Sequence, residues 1–380
     1  MRTGISTVPL DYGKCPKWLF ERMKKLSQGI MLAIREEFGP EEILKRLSNP
    51  VWFQSLGCVI GFDWNSSGLT TTTMAALKEG LRGIEKEIGV FICGGKGKTS
   101  RKTPQQIQKW GESLRFPNSK VEKLIYVSKM AAKVDTSCIQ DGFQIYSHNL
   151  IFSFSGEYAV VQQGMNINAR KARRYHWLSH KIKNLVEEPH SGIIAHTKTQ
   201  PLNLTAKKSR KNRRISVGLA IDSPKTFLKD IKLISRGTNS LFKKKEKKGF
   251  TELELNNIEF RWHPVIEEKF NLKRLEKVIF LAGSEKPQTF EKLLSLPGIG
   301  PRTIRALSLV AEIIYGAKPS YEDPARYSFA HGGKDATPFP VDCLTYDKTI
   351  ELLDKGIRKG KVSLKEKEEA RRRLERIIVN

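Results

Sequence analysis

The chain has 380 residues, more than one ordinary hydrophobic core usually covers, so two domains are expected. Its 67 Lys and Arg against 40 Asp and Glu give a formal net charge of +27, which predicts a polyanionic partner and favours nucleic acid. No apolar run approaches the ~20 residues of a membrane span. The five cysteines are scattered without a C-x-x-C pair, which argues against a zinc ribbon, an iron–sulfur cluster held by four cysteines and a disulfide framework. We therefore expect a cytoplasmic protein that binds DNA or RNA and no membrane, while a homodimer stays an open alternative.

Hydrophobic periodicity and turn signals divide the first 133 residues into helices and strands. The run VWFQSLGCVIGF at 51–62 predicts a buried strand, because it is short, apolar and preceded by Pro50. A second strand, GVFICGG, is predicted at 89–95. Helices are predicted at about 19–34, then up to Leu47 after Gly39-Pro40, at 73–87, from Pro104, and at 119–133. Strand, helix, strand, loop and helix form a βαβ arrangement, so we expect an α/β or α+β N-terminal domain with parallel strands.

The middle of the chain changes character twice. Aromatic and β-branched residues on both sides of Ser155-Gly156 predict a β-hairpin over 141–166. The segment 197–250 carries basic runs with little periodicity and reads as a connector with exposed basic arms.

Helical patterns dominate from about residue 255, and Ser363 and Glu366 form a capping box at the start of the last helix. The expected domains are therefore an α/β catalytic domain at 1–200, a basic connector at 201–254 and an all-α domain at 255–380.

Residues 297–301, PGIGP, lie between two apolar helical runs. Glycines let backbone N–H groups approach a ligand closely, and the N-terminus of the following helix adds a positive dipole end. The stretch resembles the helix-hairpin-helix element of DNA-binding proteins, whose hairpin amides hold a backbone phosphate without reading sequence. An ordinary αα-hairpin with a glycine turn is the alternative. The resemblance implies an all-α helix-hairpin-helix domain that binds DNA through Gly298, Ile299, Gly300, Arg302 and Thr303.

The same stretch resembles DNA glycosylases, in which a catalytic aspartate in a Val-Asp context follows the hairpin. Val341-Asp342 supplies that pair here. Arg302 stands where bifunctional members have lysine, and the spacing from Gly300 to Asp342 is stretched. A catalytic role and a capping or structural role for Asp342 both stay open.

Residues 133–190 are rich in groups able to do chemistry. We expect the catalytic groups to be Asp135, Asp141, His148, Gln162, Gln163 and His190. Carboxylates and a histidine suit a hard cation, so Asp141, Glu188 and His190 are the predicted ligands of Mg²⁺ or Mn²⁺. An ordinary turn at Asp141 and hydrogen-bonded structural histidines are the alternatives, and no D-x-n-E-x-K nuclease signature is present.

Two basic segments are predicted to contact nucleic acid. The run ARKARRYHW is expected to hold phosphates and to stack bases on its aromatic residues, unless it is only a solvated face. The loop GGKGKTSRKTP departs from the P-loop spacing, so it is expected to contact a backbone, with a plain flexible loop as the alternative. The cations concerned are Arg170, Arg173, Arg174, Lys96, Lys98, Arg101 and Lys102.

Seven motifs together resemble the archaeal and bacterial family catalogued as domain of unknown function 763: GFDWNSSGLTTT, GGKGKTSRKTP, AVVQQGMN, KARRYHWLS, EEPHSGI, PGIGPRTIRAL and YSFAHGGKDATPFPVD. The resemblance spans nearly the whole chain and implies that these motifs act together, including His331, Lys334 and Asp335 of the last one.

Three functions follow as hypotheses. The first is a metal-dependent DNA nuclease of the repair type, acting on structured or single-stranded DNA. The second is a glycosylase-like repair enzyme that uses Asp342. The third is a non-catalytic nucleic-acid-binding protein whose positive charge accounts for all of its binding.

Overall fold

The computed structural model describes residues 15–62, 67–195, 199–222, 224–240, 270–325, 351, 353–360 and 362–379. Five helices precede the sheet: α1 (Lys17–Phe38), α2 (Pro40–Leu47), α3 (Pro50–Val59), α4 (Gly68–Gly80) and α5 (Glu85–Ile88). They confirm the helices expected at about 19–34 and up to Leu47, whereas the single helix expected at 73–87 is divided into α4 and α5.

The prediction of a strand at 51–62 is wrong, because most of that run forms α3. The Asn49 side chain accepts hydrogen bonds from the backbone N–H groups of Val51 and Trp52, and Pro50 occupies the first helical turn. Both are helix-start signals. The helix is buried on nearly every side, so it lacks the periodicity that separates a helix from a buried strand.

One five-stranded sheet organises the fold, in the order β1-β3-β4-β5-β6. The strands are β1 (Val90–Lys96), β2 (Ile139–Gln140), β3 (Gln144–Ser153), β4 (Tyr158–Asn166), β5 (Lys171–Leu178), β6 (His190–Ala195) and β7 (Leu202–Asn203), where β2 and β7 form a separate pair. Every pairing is antiparallel. The expected parallel βαβ unit is therefore wrong, since it required a strand where α3 lies. The hairpin expected over 141–166 is confirmed as β3 and β4.

Helices cover both faces of the sheet. On one face, Ile92, Ile151 and Val161 belong to a core that includes apolar residues of α1 to α4. On the other, Phe91 and Phe152 pack in a core with α6 (Thr103–Ser113) and α7 (Asn118–Ser137). Side chains in the middle of the sheet are consequently buried on either face.

The described C-terminal part is helical, as expected. Residues up to Ala317 share the core on the α7 side, whereas Ala370 and Leu374 of the last helix pack in the core with α1 to α4. Its helices are α8 (Arg210–Ile221), α9 (Pro224–Ser240), α10 (Leu272–Glu285), α11 (Phe290–Ser295), α12 (Pro301–Ile313) and α13 (Leu364–Val379). The capping box is confirmed, because the Ser363 backbone N–H donates to Glu366 and the Glu366 N–H to the Ser363 hydroxyl.

The prediction of a connector without regular structure is wrong for residues 202–221, although the basic side chains of KKSRKNRR are exposed as expected, apart from Arg213. Residues 202–221 form β7 and α8, and Asn212 is buried, donating from Nδ2 to the carbonyl oxygens of Ser308 at 3.0 Å and Ala317 at 2.7 Å. The other basic run, at 243–248, lies outside the described residues.

Candidate functional site

A hydrogen-bonded chain of polar side chains runs through the core between the sheet and α7. His148 Nε2 lies 2.8 Å from Ser128 Oγ, and His148 Nδ1 lies 2.7 Å from Gln162 Oε1. Gln162 Nε2 donates to the Asp135 carboxylate, which His190 Nε2 also contacts at 2.5 Å. Four predicted catalytic residues thus come together, although they lie at four separate places in the sequence.

The hydrogen bonds among Ser128, His148, Gln162 and Asp135 have a defined direction. Gln162 donates from its amide nitrogen, so its Oε1 can only accept, and His148 Nδ1 must carry the proton. In the neutral ring, His148 Nε2 accepts from the Ser128 hydroxyl. Burial lowers the pKa of His148, which favours this neutral form of the ring.

Asp135 is the acceptor on which the chain converges. Besides Gln162 and His190, the indole N–H of Trp177 donates to Asp135 Oδ2 at 3.1 Å. The His190 ring lies against Trp177, with ring centroids 5.1 Å apart. Its Nδ1 has no hydrogen-bond partner among the described residues, so it is the ring atom of His190 left open to a further group.

Asp141 belongs to a different cluster, an ion-pair network on the same side of the sheet. Arg173 Nη1 lies 2.8 Å from Asp141 Oδ2, and Arg173 Nη2 lies 2.7 Å from Asp323 Oδ2. The Tyr175 hydroxyl donates to Asp141 Oδ2 at 2.8 Å. Burial alone would lower the pKa of the Arg173 guanidinium, but the carboxylates of Asp141 and Asp323 raise it. The network connects β5 to a loop about 150 residues later in the chain.

The prediction that Arg173 and Arg174 hold phosphate is wrong. Both are buried, Arg173 in the network above and Arg174 on the opposite face of the sheet. Arg174 donates to Gln54 Oε1 at 2.9 Å and to His176 Nε2 at 2.9 Å. Burial without a carboxylate partner lowers the pKa of Arg174 to about 9. Tyr175, His176 and Trp177 are buried as well and present no stacking surface. Alternation along β5 places these side chains inside, because helices cover both faces.

The predicted metal ligands do not come together. Asp141 binds Arg173, and Glu188 lies 3.5 Å from Lys207, whereas His190 contacts Asp135. Within the part of the chain that the structure describes, no group of three or more His, Cys, Asp or Glu side chains could hold a metal ion. Gln163 also lies apart, because it faces α4 and donates to the Ser67 carbonyl oxygen at 3.1 Å.

The helices α11 and α12 form a tight helical hairpin. Gly298 at its tip has φ +82°, a conformation that favours glycine, and a Cβ there would lie 3.0 Å from Val278. Ile299 is buried in the core, while Pro297 and Gly298 are exposed. From α7, Lys133 Nζ donates to the carbonyl oxygens of Leu294 at 2.6 Å and Leu296 at 2.8 Å, which fixes the end of α11.

The hairpin presents three consecutive amides. The backbone N–H groups of Gly298, Ile299 and Gly300 donate to no other group among the described residues. They immediately precede Pro301, the first residue of α12, so they lie where the helix dipole is positive. Arg302 is exposed beside them, whereas Thr303 is buried in α12.

The match to known families covers most of the chain. The family model described as "Protein of unknown function (DUF763)" matches residues 4–341. The chain belongs to the DUF763 family. No curated protein and no solved structure matches it.

The other basic residues of this DUF763 chain that were predicted to contact nucleic acid from the basic loop and the ARKARRYHW run are exposed. Lys98, Arg101 and Lys102 lie on a 3₁₀ turn that follows β1, and Lys96 ends that strand. Arg170 is exposed in the turn between β4 and β5. These five cations can reach a polyanion, in contrast to Arg173 and Arg174.

Several candidate residues of the DUF763 chain lie outside the described residues: His331, Lys334, Asp335 and Asp342. Their predicted roles stay predictions. No helix in the described ranges is long and apolar enough to cross a membrane.

Sequence reasoning missed three residues that the structure places at these sites: Ser128, Asp323 and the indole of Trp177 as an Asp135 donor. Ser128 and Asp323 carry no local motif, and only the fold brings them to their partners. The tryptophan had a signal, because a buried indole N–H needs an acceptor.

Proposed function

We propose that this chain binds the sugar-phosphate backbone of DNA through the helical hairpin, acting as a helix-hairpin-helix element. The three amides of Gly298, Ile299 and Gly300 carry the proposal, because they have no partner among the described residues and stand at the positive end of α12. Such a group of amides matches the oxygens of a phosphate and reads no base, so the binding is independent of sequence.

Two further observations support this proposal. Ile299 anchors the turn in the core and Lys133 holds the end of α11, so the amides are preorganised. The formal net charge of +27 attracts a polyanion over the whole surface.

A matched pair of variants tests the proposal. A Cβ at Gly300 meets nothing within 4 Å, and the φ of −142° suits any residue, so Gly300→Asn and Gly300→Asp should both fold. Either side chain can cap α12, so charge is the main difference between them. We expect Gly300→Asp to weaken binding of a labelled 20-base-pair duplex at least about tenfold relative to Gly300→Asn. Equal affinities of the two variants would contradict phosphate binding by the hairpin.

A second candidate function is hydrolysis of the DNA strand, and the contact between Asp135 and His190 favours it. Asp135 accepts the Nε2 proton of His190 and fixes the ring, which leaves Nδ1 to take a proton from an attacking water. The described side chains do not assemble the predicted metal set, so no step is assigned to a metal ion. A requirement for Mg²⁺ or Mn²⁺ stays a prediction.

Incubation with labelled single-stranded, duplex and bubble DNA separates the candidate activities. Hydrolysis is supported if the wild type cuts the strand, His190→Gln does not, and the control variant His180→Gln, at an exposed histidine, still cuts it. Parallel reactions with Mg²⁺, Mn²⁺ and EDTA test the metal prediction. Abasic sites formed in EDTA would instead favour the glycosylase-like alternative that uses Asp342. Bound but intact strands in every reaction would leave the non-catalytic function.

A further inference from the structure

A cleft of about 1280 Å³ opens along the free edge of β1, between α4 and α6. We call it the β1 cleft. Residues of α4 and α6 line its walls, together with the start of α1, and residues of β1 and β3 form its floor. It contains none of the residues of the hairpin or of the Asp135 chain, so neither site explains it.

The α4 wall of the β1 cleft holds a lysine without a carboxylate partner. Lys78 Nζ donates to the Gly94 carbonyl oxygen at 2.7 Å and to Gln106 Oε1 at 2.8 Å. Gln106 Oε1 also accepts the Gly94 backbone N–H at 2.8 Å. These contacts use two of the three ammonium hydrogens, and the third has no described partner. Burial lowers the pKa of Lys78, which is the effect expected of a cation that lacks a close anion.

The rest of the lining adds positive charge. Further lysines that line the cleft are Lys17, Lys96 and Lys109. Its three carboxylates are engaged by other protein groups, in the contacts Glu21–Lys24, Glu79–Arg82 and Glu85 with the Gly83 backbone N–H. An anionic ligand would therefore meet unneutralised cations in a partly desolvated space, where charge-assisted hydrogen bonds are strong.

The cleft also offers groups suited to a base. Phe20, Phe62 and Trp110 line it as partly buried aromatic side chains. Asn149 lies on the floor at 1% exposure; its Nδ2 donates to the Val161 carbonyl oxygen at 3.2 Å, and its Oδ1 has no partner among the described residues. Aromatic faces stack bases of any sequence, and an amide can hydrogen-bond to a base edge.

We propose that the β1 cleft binds nucleotide units, with phosphate at Lys78 and Lys96 and a base against Trp110. The volume exceeds the roughly 300–1,000 Å³ of usual small-molecule pockets, so it has room for more than one unit of an unpaired strand. This inference rests on the proposed function, which makes DNA the ligand. It adds that the β1 cleft recognises unpaired nucleotides of that DNA.

Calorimetric titration with ATP and with a 5′-phosphorylated thymidine dinucleotide tests the cleft. Lys96 and Lys109 are exposed at the rim of the cleft, so the double variant Lys96→Gln/Lys109→Gln should fold. It is preferred to Lys78→Gln, because Lys78 also holds α4 to Gly94 and Gln106 and its loss could prevent folding. We expect the double variant to bind the dinucleotide at least about tenfold more weakly than the wild type. The control is Lys123→Gln on the exposed face of α7, which lies outside the cleft and should bind like the wild type.

Each outcome decides the proposal. If the protein binds the dinucleotide but not ATP, the ligand of the cleft is a nucleic-acid strand. If it binds both similarly, the ligand is a free nucleotide. The proposal is overturned if the wild type binds neither probe, or if the double variant binds both as well as the wild type. Duplex binding without dinucleotide binding would overturn the cleft and keep the hairpin, and the reverse result would overturn the hairpin and keep the cleft.

Discussion

Replacing Asp141 with Asn should destabilise the fold, because Asp141 lies in the buried network around Arg173. The side chains of Arg173 and Asp141 are fully buried, and that of Asp323 is 2% exposed. Breaking a buried ion pair by removing one partner costs about 3–5 kcal/mol. Arg173 keeps Asp323, so we expect a loss of about 3 kcal/mol, a large share of the roughly 5–15 kcal/mol that stabilises a typical domain. Urea unfolding followed by circular dichroism measures the loss.

Glu188→Gln is the matched control, since Glu188 was predicted as a metal ligand together with Asp141. Its partner Lys207 lies 3.5 Å away, and both side chains are exposed to solvent. Such a pair contributes at most about 1 kcal/mol. If Asp141→Asn unfolded at the same urea concentration as Glu188→Gln, the structural role of Asp141 would be refuted, and a catalytic role would regain support.

Three further predictions concern the pH dependence of stability, the hairpin and β1. Burial, with Arg174 as a neighbour, lowers the pKa of His176 well below 6.5, so as the pH falls the unfolded chain binds this proton before the folded protein does. Below about pH 6.5 the free energy of unfolding should therefore decrease, by up to about 1.4 kcal/mol per pH unit for this group. Urea unfolding at pH 7.5 and at pH 5.5 measures the decrease. Lys133→Met should leave the fold intact but weaken duplex binding several-fold in anisotropy titrations, because it frees the end of α11. Gly94→Ala should lower the melting temperature, at a cost of about 1–3 kcal/mol, because φ is +106° and the Cβ would lie 2.1 Å from the His148 carbonyl oxygen.

These three predictions fail on distinct results. Unfolding free energies that are equal at pH 7.5 and 5.5, or that fall equally in His176→Gln, would contradict a buried neutral His176. Unchanged duplex affinity in Lys133→Met would show that the hairpin needs no support from α7. Gly97 has φ +61° but open space around its Cβ, so Gly94→Ala should melt lower than Gly97→Ala, and equal melting would contradict the steric argument.

Local signals were sufficient for α1, α2, α6 and α7 and for the β3–β4 hairpin, but not for α3 or for α8 and α9. Consecutive glutamines in an apolar strand predicted buried amides that need partners, and Gln162 has three: His148, Ala131 and Asp135. The His148 contact follows from pairing alone, since His148 and Gln162 are opposite each other in the antiparallel register. The helix α3 could also have been identified, because Asn49-Pro50 is a helix start.

Long-range packing could not be predicted in this way. The run ARKARRYHW is basic, and such a run is usually exposed. Its burial depends on helices that cover both faces of the sheet and on Asp323, which lies 150 residues after Arg173. A single sequence contains no local signal for that pairing, so Arg173 was assigned to phosphate binding instead.

The most direct test of the hairpin's role compares the affinities of Gly300→Asp and Gly300→Asn for the DNA duplex, measured by fluorescence anisotropy at one salt concentration. The melting temperature of each variant shows whether it is folded. Phosphate binding by the amides of Gly298, Ile299 and Gly300 predicts an affinity at least about tenfold lower for the aspartate variant. Equal affinity of two equally folded variants would contradict it.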